Sequence, residues 1–266
     1  MKPLKMAVIG KDVSKSLSPK MHHFILKNIG VECTYDTVSI PQEEFKTTFP
    51  KLLTEYDTLN VTIPYKLDVI PYLSEIKGDA KTFGAVNTVD VRTKNGYNTD
   101  GAGFMLLLEN GGVSVKGKNI LVLGSGGVGR SVIKKLLDGG AIVSAFDLNQ
   151  AGLNEVHAEF PFFTALKAIE IKPYDVIINC TGVGMHKTEG ISPVGEDLLS
   201  QCNTAVDLIY EPKKSEFLRL AESLGKKIVN GESMIFYQAY YADCIFLGRE
   251  PVAAQAKELF EKYREE

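Results

Sequence analysis

Two residues in this chain have the types needed to move a proton. Lys66 closes the run Asn60-Val61-Thr62-Ile63-Pro64-Tyr65-Lys66, and Asp100 closes Asn98-Thr99-Asp100. A lysine can exchange a proton with an oxygen, and a carboxylate beside it can hold the ammonium and tune its pKa. Taken singly, Lys66 reads as a solvated surface lysine and Asp100 as a helix cap. Ser16-Leu17-Ser18-Pro19 places two hydroxyls before a helix, a site for a carboxylate favoured by the helix dipole. Ser18 before Pro19 also predicts an N-cap with proline at the first helical position. Alternation puts Asn60 and Thr62 on one face of a strand that stops at Pro64.

A third motif binds a different partner. Gly124-Ser125-Gly126-Gly127-Val128-Gly129 reads G-x-G-x-x-G, between an apolar strand run at 119–123 and an amphipathic helix run at 131–137. A second apolar run at 141–146 ends at Asp147. Strand, glycine turn, helix, strand and carboxylate make a dinucleotide fingerprint, with backbone N–H groups and a helix N-terminus facing a pyrophosphate. The alternative is a tight turn with no ligand. Because this module starts mid-chain, the residues before it are expected to hold the other reactant.

These residues need elements to position them. Strands are expected at 6–9, 34–40, 58–62 and 86–91, the last pairing with 96–98 across Lys94-Asn95-Gly96. A helix runs from Met21 to Asn28 and closes at Gly30, and another opens at Asp100-Gly101 and ends at Gly111-Gly112. Beyond the glycine turn, 175–179, 204–208 and 227–229 read as parallel strands of a buried sheet. Residues 233–246 and 252–263 are helical. The fold class is therefore α/β with two α/β domains. A discontinuous substrate domain spans 1–101 plus 238–266, a Rossmann-type dinucleotide domain spans 102–237, and the active site is expected in a cleft that closes for hydride transfer.

At this point the order of motifs is informative. The serine unit, Asn60–Lys66, Gly84-Ala85-Val86-Asn87-Thr88 and Gly96-Tyr97-Asn98-Thr99-Asp100 precede the glycine turn. Asn179-Cys180-Thr181-Gly182-Val183-Gly184-Met185 and Gly231-Glu232-Ser233-Met234-Ile235-Phe236-Tyr237-Gln238 follow it. Over essentially its whole length the chain resembles the shikimate dehydrogenases. That resemblance implies reversible, nicotinamide-dependent reduction of 3-dehydroshikimate to shikimate, on the route to aromatic amino acids. It implies that Ser16 and Ser18 bind the carboxylate, and that Asn60, Thr62, Asn87 and Gln238 bind substrate with Tyr210 nearby. Lys66 and Asp100 would be the catalytic pair. Thr181, Gly182, Met185 and Leu208 would join the glycine turn in the cofactor site, with Gly231 and Met234 lining the nicotinamide.

The chain departs from the family pattern in four places. Lys15 stands where a histidine is common, His22-His23 where His-Asn is usual, and Gly182 where proline is common. At Asp147-Leu148-Asn149, family members carry Asn-Arg-Thr, whose arginine clamps the 2′-phosphate of NADP. An acid without an arginine predicts a preference for NAD over the family's NADP, with Arg130 the one nearby cation that would oppose it. The alternative is that Asp147 merely caps a turn.

Composition agrees with an enzyme of small molecules. At 266 residues, with 44% hydrophobic and 24% charged residues, the chain suits two modest cores. A net charge of −3 gives no reason to expect nucleic acid or membrane as partner. No apolar run reaches membrane-spanning length, and 1–5 runs into a strand rather than a signal peptide. Cys33, Cys180, Cys202 and Cys244 are scattered, which suits reduced thiols in a cytoplasmic protein, and no metal pattern appears. The expected state is monomer or homodimer. Three other functions compete: an NAD-dependent quinate/shikimate dehydrogenase, a folate-linked dehydrogenase, and a non-catalytic shikimate sensor.

Overall fold

The structure is a computed structural model that describes residues 3–266. Met1 and Lys2, the first residues of the segment expected to run into a strand, lie outside the described residues. The chain runs β1 (Leu4–Gly10), α1 (Ser18–Asn28), β2 (Cys33–Ser39), α2 (Phe45–Glu55), β3 (Thr58–Val61), β4 (Glu75–Ile76), α3 (Asp79–Phe83), β5 (Thr88–Asp90), β6 (Asn95–Tyr97) and α4 (Asp100–Asn110). It continues through β7 (Asn119–Leu123), α5 (Gly127–Asp138), β8 (Ile142–Phe146), α6 (Gln150–Glu159), β9 (Thr164–Leu166), β10 (Tyr174–Asn179) and α7 (Glu196–Leu199). It ends with β11 (Cys202–Asp207), α8 (Glu216–Ser223), β12 (Lys227–Val229), α9 (Glu232–Leu247) and α10 (Ala253–Glu265). Two compact units result: one holds residues up to Gly103 together with Phe236–Glu266, the other Phe104–Ile235. The chain leaves the first unit within α4 and returns to it within α9.

The first unit is built on a six-stranded mixed sheet of order β2-β1-β3-β5-β6-β4. Strands β2, β1 and β3 are parallel, while β5 pairs antiparallel with both β3 and β6. The period of two in β1 splits its side chains between two cores. Ala7 and Ile9 join Phe45, Phe49, Leu59 and Val61 on one face. Met6 and Val8 join Leu26, Tyr35, Ala242 and Phe246 on the other.

The second unit carries an all-parallel sheet of order β12-β11-β10-β7-β8-β9. Ile120 and Val122 of β7 pack with Val132, Ile133 and Leu136 of α5, whereas Leu121 packs on the other face with Phe217 and Leu218 of α8. Strand β7 lies between β8 and β10, so the chain reverses its direction of travel across the sheet there. In open parallel sheets ligands bind beyond the carboxyl ends of strands at such a reversal. The first sheet has the same feature, because β1 lies between β2 and β3. No helix among the described residues is long and apolar enough to cross a membrane.

Candidate active site

In the first unit the reversal point collects the polar motifs. The segment after β1 delivers Ser16 and Ser18, and the segment after the neighbouring β3 delivers Thr62 and Lys66. Within β3, Leu59 and Val61 are buried in the core while Asn60 is half-buried, which is the alternation read from the sequence. Thr62 lies one residue past the strand, and its N–H still donates to the Ile9 carbonyl at 2.9 Å. Tyr65 is fully buried, stacked on Phe45 at 4.3 Å between ring centroids, and its hydroxyl donates to the Ile40 carbonyl at 2.5 Å. That anchor fixes the segment from which Lys66 projects.

Lys66 Nζ donates to Asp100 Oδ2 at 2.7 Å. The Asp100 side chain is 7% exposed and that of Lys66 25%, so the carboxylate is the buried member of the pair. The other carboxylate oxygen accepts from Asn87 Nδ2 at 2.8 Å. Asn87 is itself held, since its Oδ1 accepts from Thr99 N at 3.0 Å and from Thr88 Oγ1 at 2.8 Å. Asn98 Oδ1 accepts from Asp100 N at 3.0 Å. Asp100 therefore does more than open α4: both its oxygens are committed, one to Lys66 from the segment after β3 and one to Asn87 just before β5. A lysine held this way presents its remaining N–H bonds in one direction, as proton transfer requires.

The serine pair corrects one sequence expectation. Helix α1 starts at Ser18 with Leu17 as its N-cap residue, and no side chain caps it. Pro19 does stand in the first turn. Ser18 Oγ instead accepts from Ser16 Oγ at 3.1 Å. Both serines are half-buried, so their hydroxyls are open to a ligand as well. Gln238 is half-buried on α9 in the same unit.

The second unit supplies the dinucleotide features. Gly124 has φ +92°, which a side chain disfavours, and a Cβ on Gly129 would collide with the Gly124 carbonyl. Around Gly126 and Gly127 a Cβ would meet nothing within 4 Å, so the backbone there faces open space. The first turn of α5, starting at Gly127, thus exposes its N–H groups, and Val128 is 37% exposed beside them. This cradle fits a pyrophosphate. Beyond β10, Asn179 organises the next loop: its Oδ1 accepts from Thr181 N at 3.0 Å and Thr181 Oγ1 at 2.6 Å, and its Nδ2 donates to the Val183 carbonyl at 3.2 Å. Cys180 N donates to the Leu123 carbonyl at 2.8 Å, tying this loop to the base of the glycine turn. Gly182 is exposed and Met185 half-buried. A Cβ on Gly231 would strike the Leu208 carbonyl, so only glycine permits those two segments to cross. Met234 is buried in the core against α5, and Tyr210 is 37% exposed.

Asp147 sits at the end of β8 with its charge firmly held. Its Oδ2 accepts from Ser125 N at 2.6 Å and Ser125 Oγ at 2.9 Å, and its Oδ1 from Asn149 N at 2.8 Å. Burial works to raise its pKa, but these hydrogen bonds together outweigh it and hold the carboxyl below its ordinary value. Asp147 does cap a turn, then, and it places a negative charge against the glycine loop in doing so. A carboxylate has about four lone-pair positions, and three are used. Leu148 beside it is 90% exposed. Arg130 is ion-paired with Glu159 and lies 5.9 Å from the centroid of Phe160.

Sequence reading passed over several residues of these networks. Asp207 and Asn179 end apolar strands, a signal that was visible, and the two meet at 3.1 Å. Burial pushes Asp207 up to about 6, against hydrogen bonds from Ser215, Ile209 N and Asn179 that pull it down. Tyr35 and Asp243 carry no local signal, and His22 is marked only by the His22-His23 pair after the serine unit. Among the described residues no group of acidic, histidine or cysteine side chains is placed to hold a metal.

Comparison with known proteins places this geometry. A family model described as the shikimate dehydrogenase substrate binding domain matches residues 8–89. The chain is 35% identical over 246 residues to a shikimate dehydrogenase (NADP(+)) of Clostridium beijerinckii, covering 90% of each. It superposes on a Thermus thermophilus shikimate 5-dehydrogenase in complex with NADP(H) and shikimate with a TM-score of 0.87 at 31% identity, covering 98% of this chain and 99% of that one. A Listeria monocytogenes shikimate 5-dehydrogenase in complex with shikimate and NAD gives 0.84 at 27% identity, covering 97% and 96%.

Proposed function

The chain belongs to the shikimate dehydrogenase family, and on that premise we propose that it reversibly reduces 3-dehydroshikimate to shikimate with Lys66 and Asp100 as its catalytic pair. The observation that carries this reading is the Lys66–Asp100–Asn87 network, with Ser16, Ser18 and Thr62 on the segments that follow the neighbouring strands β1 and β3. A small ring with one carboxylate and three hydroxyls needs several placed hydrogen-bonding groups, and this surface offers them. Ser16 and Ser18 take the carboxylate. Asn60, Thr62, Asn87 and Gln238 take ring oxygens, and Tyr210 is a further substrate contact.

A bound nicotinamide supplies the hydride acceptor for oxidation and the hydride donor for reduction. Gly124, Ser125, Gly126, Gly127, Val128 and Gly129 would hold its pyrophosphate, and Thr181, Gly182, Met185, Leu208, Gly231 and Met234 its nicotinamide end. In oxidation the neutral Lys66 amine accepts the proton of the reacting hydroxyl. In reduction the ammonium returns that proton to the new alkoxide. Asp100 stabilises the ammonium and, because Asn87 fixes its other oxygen, aims it. Relatives such as that of Clostridium beijerinckii are named for NADP(+), while the Listeria monocytogenes one is in complex with NAD, and this chain is proposed to prefer NAD, a reading supported by the charge held at Asp147 and by the engagement of Arg130 with Glu159. Its four free cysteines suit a reducing, cytoplasmic setting.

Absorbance of the reduced nicotinamide tests the proposal, crossing shikimate and quinate with NAD and NADP. Turnover of shikimate is expected. Turnover of quinate alone would reassign the substrate, and binding of shikimate without turnover would make the chain a sensor.

A further inference from the structure

One buried group of side chains touches the proposed substrate residues without belonging to them. Tyr35 of β2 lies in the core beneath Asn60, and its hydroxyl donates to Asn60 Oδ1 at 2.7 Å. Ser18, whose oxygen accepts from Ser16, opens the helix α1. The Tyr35 ring stacks on His22 of α1, with centroids 4.8 Å apart and planes at 20°. His22 Nδ1 in turn lies 2.6 Å from Asp243 Oδ1 on α9, and both side chains are almost fully buried. Four elements, β2, β3, α1 and α9, are thereby tied together at one place.

The direction of these bonds matters. A tyrosine hydroxyl has a single proton, and burial, with the nearby Asp243 charge, pushes its pKa well above the ordinary value, so it stays a donor. That proton goes to Asn60 Oδ1. The Asn60 amide is then oriented with its oxygen inward, and its Nδ2 takes no protein acceptor among the described residues. Asn60 is left as a hydrogen-bond donor facing outward from the half-buried side of β3.

We propose that Tyr35, held flat by the His22–Asp243 pair, is a positioning residue that fixes Asn60 as a donor to a ring oxygen of the substrate. The inference rests on the substrate assignment of Asn60. Without the tyrosine hydroxyl, the Asn60 amide can flip, and its productive orientation must be selected at the expense of binding. Asp243 gives the pair its reach, since it sits five residues after Gln238 on α9 and so links that helix to the serine-bearing α1.

A double-mutant cycle on shikimate binding tests this, read by calorimetric Kd and by KM against kcat. Tyr35→Phe keeps the ring stacked on His22 and deletes only the hydroxyl. Tyr35→Phe and Asn60→Ala are each expected to weaken shikimate binding by about ten-fold, the usual worth of one hydrogen bond to a well-placed group. Kd and KM should rise together with kcat changing less. In the Asn60→Ala background Tyr35→Phe should have less than about a two-fold further effect. Additive losses would mean that Tyr35 only supports the core, and would overturn the proposal. Wild-type binding by Tyr35→Phe, with Asn60→Ala impaired, would also overturn it while leaving the site reading intact. Unchanged binding by Asn60→Ala would overturn both. Asp243→Asn keeps the volume and loosens the hold on His22, which gives a second arm should Tyr35→Phe not fold. Its loss of binding must likewise vanish beside Asn60→Ala, and an equal loss in both backgrounds overturns the proposal.

Discussion

Cofactor choice at Asp147 can be worked from the structure. The carboxylate is tied to Ser125 and Asn149 and held below its ordinary pKa, so it is fully charged at neutral pH. A 2′-phosphate on the adenosine ribose brings about two negative charges toward the same strand end. Unit charges about 4 Å apart at an effective dielectric near 20 repel by roughly 4 kcal/mol per pair. Solvent at this half-exposed site removes most of that, and a residual of about 1.5 kcal/mol already gives a ten-fold preference. No cation offsets it nearby: Arg130 is engaged with Glu159, and no Lys or Arg occurs from Leu148 through Glu159. The expected wild-type result is a kcat/KM for NAD at least ten-fold above that for NADP, matched by the Kd ratio of NADH and NADPH from fluorescence titration. Asp147→Asn should narrow both ratios by about that factor, since it removes the charge at the cost of one hydrogen bond to Ser125 or Asn149. Adding Leu148→Arg should reverse them, because position 148 is almost fully exposed and an arginine there loses no hydration. Equal or better wild-type use of NADP would refute the reasoning.

Other expectations follow from the same geometry. Lys66→Ala should lower kcat by roughly two to four orders of magnitude with a much smaller change in KM, because Asn87 still holds Asp100 and the serines still hold the ring. A near-normal kcat would end that assignment. Ser16→Ala should weaken shikimate binding about ten-fold or more, at about 1.5–3 kcal/mol for a charge-assisted hydrogen bond, without affecting NAD binding. Ser18→Ala is an equally clean test, as Ser18 does not cap α1. Asp207, pushed up to about 6, binds its proton more tightly folded than unfolded. Its contribution to stability is therefore complete below about pH 4 and disappears as pH rises through 6. Urea melts of wild type against Asp207→Asn should show the difference shifting by up to about 3 kcal/mol in favour of the variant across that window. A difference independent of pH would show that Asp207 does not titrate there.

What was legible in the sequence was what is local. Strands β1, β3, β7 and β10 are short apolar runs ended by polar residues or a proline, and each motif that carries chemistry sits within a few residues of such an end. Helix α2 was not read, although Phe45, Phe49 and Leu52 are spaced i, i+4 and i+7, because Pro50 stands inside it and no polar side chain caps it. Ser18 shows the limit of a local rule more sharply. Its position before Pro19 has every mark of an N-cap, yet its hydroxyl is drawn to Ser16 and the cap is never made. The decisive partners are far away in sequence: Tyr35 is 25 residues from Asn60, and His22 is 221 residues from Asp243. No spacing rule connects such positions, because only the pairing of β1 with both β2 and β3, and the return of α9 to the first unit, brings them together. Most groups proposed to meet substrate sit near strand ends, where a motif can record them, Gln238 on α9 being the exception. Groups that aim those side chains lie wherever the core leaves room for a buried polar partner. The chemistry could thus be read before the fold was known, while the residues that orient it could not.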